Sequence, residues 1–179
     1  MSTGKKVLQI QLRYNVNESD LAEQLVVGLM AQGIEVTTLF LRGKPASGMP
    51  ASKAQHSHYF ECRPGDLKGF RRWLIVFRLY RFLRANGFDA VIAHRFKPIS
   101  MMMWLSQLFR SMVFVGVQHG IGDYDRLFRR VEAAVLISRR WKIVGVSRAV
   151  TSYLQRTVHA FNEQNTVTIN NAIDINRAK

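Results

Sequence analysis

Stretches with the period of a strand and stretches with the period of a helix take turns along this chain, and that alternation limits its fold more than any other feature. VLQIQL (7–12) is a short β-rich run. It precedes a segment, 18–33, in which Leu21, Leu25, Val26 and Leu29 recur at helical spacing and Gly33 offers a stop. EVTTLFL (35–41) is β-branched and apolar and reads as a buried strand. Together these make a strand–helix–strand unit of the size a βαβ crossover needs. Residues 42–57, rich in Gly, Pro and Ser, read as a surface loop.

Beyond that loop the pattern predicts a brief strand at 58–62, then a helix over 66–86 ended by Gly87, then a strand at 89–94. Pro98 opens a helix running to about residue 110, and a strand follows at 112–118. Asp123 is placed to cap a helix running to about residue 139. A strand at 141–146, a helix capped by Ser147 and a last strand at 166–170 complete the series. The expected fold is α/β: a doubly wound, mostly parallel, Rossmann-like sheet of about seven strands with helices on both faces. The 179 residues suffice for one such domain with a full core, and no internal repeat divides them.

Charge narrows the partners. Lys and Arg number 26 against 12 Asp and Glu, a net charge of +14. Such an excess favours polyanions: nucleic acid, an anionic membrane surface or phosphorylated substrates. No apolar run approaches the roughly 20 residues of a membrane span, and the first residues lack the apolar core of a secretory signal. With a single cysteine, Cys62, no internal disulfide can form. The expected location is the cytoplasm, with peripheral contact to the inner face of the cytoplasmic membrane.

In open α/β sheets ligands bind beyond the carboxyl ends of the strands. The loops at that edge supply Tyr14 and Asn15, then His94, Arg95 and Lys97, then Gln118, His119 and Gly120, then Ser147, and finally Asn171. In QHGIGD (118–123), Gly120 and Gly122 permit a tight turn or the close approach of a ligand to the backbone. His119 at the rim can donate or accept a hydrogen bond near neutral pH. A plain strand-end turn explains the same residues, and a satisfied strand-end histidine explains His94. His56 and His58 read as a surface pair rather than a metal site. The signatures GxGxxG, GxxxxGKS, HExxH and GxSxG are all missing.

The segment 66–87 is unusual. At about 100° per residue, Phe70, Trp73, Leu74, Val76, Phe77, Tyr80 and Leu83 share one broad side, expected to face the core. Arg71, Arg72 and Arg78 share the other with Ile75 and Phe82 among them, a basic face seeded with apolar residues that suits anionic lipid. A core helix with a solvated basic face explains it equally.

KIVGVSRAVTSYLQRTVHAFNEQNTVTINNAIDINR (142–177) resembles the end of the N-terminal domain of family 4 glycosyltransferases, which have the GT-B fold. There a strand ending Val-x-Val-Ser opens a helix, and a later strand runs into Asn-Gly-hydrophobic-Asp. Here the latter reads Asn170-Asn171-Ala172-Ile173-Asp174, with Ala172 in the glycine position. DAVIAHRFKP and VGVQHG are similar to that family's strands ending in histidine. The resemblance implies sugar transfer from a nucleotide donor with retention at the anomeric carbon, with no metal and no cofactor. It implies that His119 reaches the donor sugar and is catalytic. It also implies that Tyr14, Asn15, His94, Arg95, Lys97, Gln118, Gly120, Ser147 and Asn171 line the substrate cleft. RYNVNES (13–19) lacks the glycine pair common in the family.

In that family the nucleotide sugar binds a second, C-terminal domain, so the donor site is expected outside these 179 residues, and the isolated domain is expected to be inactive. The expected acceptor is a glycan or glycolipid of the cell envelope, such as a lipopolysaccharide core. Two readings of other classes stay open. A basic nucleic-acid-binding module is set against by the spread of basic residues over several helices. A stand-alone enzyme would use His94 and His119 as acid and base.

Overall fold

The computed structural model describes residues 4–16 and 20–170. Seven strands form one sheet in the order β3-β2-β1-β4-β5-β6-β7, and every neighbouring pair is parallel. They are β1 (Lys6–Gln11), β2 (Glu35–Phe40), β3 (His56–Tyr59), β4 (Ala90–His94), β5 (Val113–Gln118), β6 (Trp141–Gly145) and β7 (Thr166–Thr168). The connecting helices are α1 (Asp20–Ala31), α2 (Arg71–Asn86), α3 (Phe96–Ser106), α4 (Leu127–Leu136) and α5 (Arg148–Thr157). The chain leaves β1 toward β2 and β3, then returns across β1 to β4 and moves the other way. With right-handed crossovers, that reversal puts α1 on one face and α2 to α5 on the other.

The two faces follow from period-two alternation along each strand. Leu8, Ile10, Val91, Ala93, Phe114 and Ile143 point to the larger core under α2 to α5, where Leu79, Ile99, Ala133 and Leu154 meet them. Val7, Ile92, Val117 and Val144 point to the smaller core, against Leu25 and Leu29 of α1. By the same alternation Gln9, Gln11 and His94 belong to the α1 face.

Several element boundaries differ from expectation for local reasons. The third strand begins at His56, inside the anticipated loop, because residues 56–59 pair with 37–40. Residues 66–70 form turns, with Gly69 at φ +54°, so α2 starts only at Arg71. Asp123 caps no helix: α4 begins at Leu127, its N-cap is Arg126, and no side chain caps it. Ser147 does cap α5, its Oγ accepting from Val150 N at 3.3 Å. Helix α3 stops at Ser106, and Pro98 lies within its first turn.

Helix α2 is rotated from the sequence expectation. It buries Val76, Leu79 and Leu83, while Phe70, Trp73, Leu74 and Phe77 are exposed. Ile75 and Phe82, expected on an outward basic face, pack against the main core, and Phe82 sits edge-on to His58 and Phe60. Arg72 turns inward to Glu132 and Ser100, and Arg78 lies over the Phe60 ring and donates to its carbonyl at 2.9 Å. Of that expected surface only Arg71 stands free in solvent as anticipated.

Candidate functional site

The carboxyl ends of β1, β4, β5 and β6 open onto one edge. Gln9 on β1 lies beside Ile92 of β4, and His94 pairs in register with Val117 of β5. The fold therefore brings three polar side chains into a row. Gln9 Oε1 is 3.3 Å from His94 Nε2, and His94 Nδ1 is 3.2 Å from His119 Nε2. An amide oxygen only accepts, so His94 donates from Nε2 and its Nδ1 accepts the proton of His119 Nε2. His119 Nδ1 is then left as an acceptor.

Both rings are neutral at pH 7. Burial, then the charges of His119 and Arg95, pull His94 down to about 3. Burial and the Arg95 charge pull His119 down to about 4. His94 is itself almost fully buried, so it orients His119 from behind rather than meeting a ligand. His119 is partly open.

Arg95 links this row to the next helix in an unusual conformation. Its φ is +68° without being a glycine, and its amide donates to Val117 O at 2.9 Å. Side chains with a Cβ disfavour that region, and such residues gather at functional sites. The turn aims the exposed Arg95 where its charge reaches both histidines and Asp123.

Lys97 sits one step further into a basic rim. Burial lowers its pKa first, and the charges of Lys68, Arg42, Arg13 and Arg129 lower it further. These cations come from the loops after β1, β2 and β3 and from α4. Arg129 is held by its position over the Phe96 ring, 4.2 Å from the centroid, and by donation to Asp123 O. An excess of like charges of this kind, with Asp123 the carboxylate that Arg129 faces, forms a ready anion site.

The remaining expected residues divide. Tyr14 and Asn15 line a hollow with Val16, Met49 and Pro50, and the Tyr14 hydroxyl donates to Pro50 O. Gly120 borders open space and has an ordinary φ, whereas Gly122 has φ +93° and makes the turn. Gln118 is fully buried: its Nε2 donates to the Tyr124 hydroxyl at 3.4 Å and its Oε1 has no protein partner. It supports the loop from behind, which corrects its expected place in the cleft wall. The Ser147 oxygen is taken by the helix cap. Asn171 lies outside the described residues. Among those residues no group of three or more His, Cys, Asp or Glu is gathered as a metal would need.

Sequence reasoning passed over Gln9 and Tyr124, and it did not bring Arg13, Arg42, Lys68 and Arg129 together at one rim. Two glutamines alternating through the apolar run VLQIQL were the available signal for Gln9, since a buried strand wastes no polar side chain without a partner.

Residues 21–177 match Glycosyltransferase Family 4. The chain belongs to that family. Solved structures agree on the fold. A glycosyltransferase from Rickettsia africae ESF-5 superposes with TM-score 0.72 at 15% identity, covering 97% of this chain and 45% of that one. A fragment of sucrose-phosphate synthase from Thermosynechococcus elongatus gives 0.69 at 13% identity, over 97% and 93%. The lipopolysaccharide outer core galactosyltransferase WaaB gives 0.68 at 11% identity, over 95% and 46%. This family member thus spans about half the length of the complete sucrose-phosphate synthase, Rickettsia and WaaB chains. No curated protein matches the sequence.

Proposed function

We propose that this family 4 domain is the acceptor side of a retaining glycosyltransferase. The enzyme takes a sugar from a nucleotide donor to an anionic glycan or lipid-linked acceptor of the cell envelope, at the inner face of the cytoplasmic membrane. The nucleotide binds residues outside these 179. The observation that carries the reading is the neutral His119, held by His94 and Gln9 beside a rim of Arg95, Lys97, Arg13, Arg42 and Arg129 in which cations outnumber the one carboxylate, Asp123.

The chemistry follows from that arrangement. As the glycosidic bond to the diphosphate breaks, negative charge grows on the leaving group and positive character on the sugar ring. Preorganised cations answer the first, and placing them costs no reorganisation during the reaction. A neutral His119 answers the second: its Nδ1 accepts from a sugar hydroxyl and holds the ring without adding a cation beside it. Lys97 and its neighbours hold acceptor phosphate or carboxylate, and that anion offsets the like charges that, after burial, lower the Lys97 pKa.

The test is sugar transfer by the complete enzyme, with nucleotide sugars supplied to a phosphorylated glycolipid acceptor. His119→Ala is expected to lower kcat by roughly 10²-fold or more, and Lys97→Met to raise KM for the acceptor. Full turnover by the 179-residue chain alone would sink the reading of a donor site outside it.

A further inference from the structure

The outer surface of α2, α3 and α4 carries large apolar side chains that the core does not use. Phe70 at the N-cap of α2 and Trp73, Leu74 and Phe77 on the helix follow the i, i+3, i+4, i+7 spacing of one helical stripe, and Phe70 and Leu74 are 93% and 70% exposed. The Trp73 ring meets Trp104 of α3 edge-on at 5.2 Å, and Trp104 donates from Nε1 to Glu132 of α4 at 2.7 Å. Three helices thus form one continuous surface. On α4, Leu127, Val131 and Val135 are exposed as well.

Charge on this surface has one sign. Helix α2 contains five arginines and no acidic residue, and Arg71, Arg81 and Arg84 are exposed beside its apolar stripe. The only carboxylate on the three helices, Glu132, is turned inward and bound by Arg72, Ser100 and Trp104. Exposed aromatic and aliphatic side chains among unpaired arginines match the boundary between anionic headgroups and acyl chains. Scattered apolar residues on a protein surface need no explanation, but a four-residue stripe joined through Trp73 to Trp104 of the next helix does.

We propose that the outer face of α2, α3 and α4 docks on an anionic lipid bilayer, with Phe70, Leu74 and Phe77 inserted and Arg71, Arg81 and Arg84 on the headgroups. This deepens the reading of a lipid-linked acceptor, yet vesicle binding tests it without any transfer assay. It also moves the contact from the sequence-expected face, Ile75 and Phe82, to the opposite one.

The experiment is sedimentation of the chain with vesicles of phosphatidylglycerol and phosphatidylcholine, against phosphatidylcholine alone. Binding is expected to the mixed vesicles and to weaken with salt. Leu74→Ser with Phe77→Ser is expected to weaken it by about tenfold or more, because each change removes an apolar side chain from the acyl region. Arg71→Glu with Arg81→Glu should also weaken it about tenfold or more. The same charge change on Lys5 and Lys53, at other surfaces, should leave it within about twofold. Unchanged circular dichroism keeps the comparison to folded protein, since the substituted residues are exposed.

Equal binding by all variants overturns the proposal, as does failure of the unmodified chain to bind mixed vesicles. A chain that self-associates through this face, and becomes monomeric in Leu74→Ser/Phe77→Ser with vesicle binding unaltered, also overturns it in favour of a second copy as occupant. Transfer to a detergent-dispersed acceptor by the complete enzyme reports on the glycosyltransferase reading separately, and is expected to survive the Leu74 and Phe77 changes.

Discussion

His94 Nδ1 stands 3.2 Å from His119 Nε2, with Gln9 Oε1 3.3 Å from the far side of the same imidazole. The amide oxygen fixes which nitrogen of His94 carries the proton, and His94 in turn fixes His119. Gln9→Leu removes the acceptor that sets this order. Nitrogen-15 NMR of His119 at pH 7 is expected to show one tautomer, protonated at Nε2, in the unmodified protein and a mixture in Gln9→Leu. A mixture in both would mean the row does not orient the ring.

The same row makes stability depend on acid. A free-chain histidine titrates near 6.5, while His94 and His119 titrate at about 3 and about 4 when folded. Below pH 6.5 the unfolded chain therefore binds protons that the folded chain refuses, and ΔG of unfolding falls as pH falls. The loss runs from about 6.5 down to the folded values and is absent above 6.5. Urea midpoints at pH 7.5 and pH 5 measure it. His94→Gln, which removes the more deeply buried ring, is expected to reduce the difference between them.

What could be read from the sequence was whatever repeats with a period. All seven strands and five helices alternate as expected, because apolar periodicity records burial directly. Helix α2 failed for the same reason. Its apolar residues surround the axis, so two rotations satisfy the pattern, and only packing of Val76, Leu79 and Leu83 on the sheet chooses between them. His119 and His94 were legible as strand-end residues. Their contact with Gln9 was not, since 85 positions separate Gln9 from His94 and only the β1–β4 pairing closes that distance. The Asp123 cap misled because a capping residue type in a loop looks the same whether or not a helix starts beside it.

Glu132 ties three helices through one carboxylate, taking Arg72 at 3.1 Å, Trp104 at 2.7 Å and a short bond from Ser100 at 2.5 Å. Its side chain is 11% exposed and that of Arg72 22%, so neither is well screened by water. Removing one partner strands the other charge. Glu132→Ala is expected to cost about 3 kcal/mol, and Arg72→Met less than that, because Ser100 and Trp104 still satisfy the carboxylate. A double-mutant cycle by urea denaturation should give a coupling of about 1 kcal/mol or more. Additive losses would show that the pair contributes nothing jointly.

Gly145 sits where β6 runs under the start of α5. A Cβ there would lie 2.4 Å from Thr151 Oγ1 and 2.8 Å from Thr151 N. The hydroxyl belongs to a side chain that also bonds Thr168 at 2.8 Å, and the amide belongs to the helix itself, so neither can step aside alone. Gly145→Ala must push α5 off the sheet and is expected to cost about 2 kcal/mol or more. Trimming the contact with Thr151→Ala leaves the backbone clash, so the double variant should recover little. Gly120 is the opposite case, with an ordinary φ and nothing within 4 Å of its added Cβ. Gly120→Ala should therefore hold its melting midpoint while Gly145→Ala drops. Thermal unfolding of the two side by side separates a glycine required by packing from one whose open surroundings leave room for a ligand beside His119. If Gly120→Ala proved the more damaging of the two to stability, that space would be structural after all.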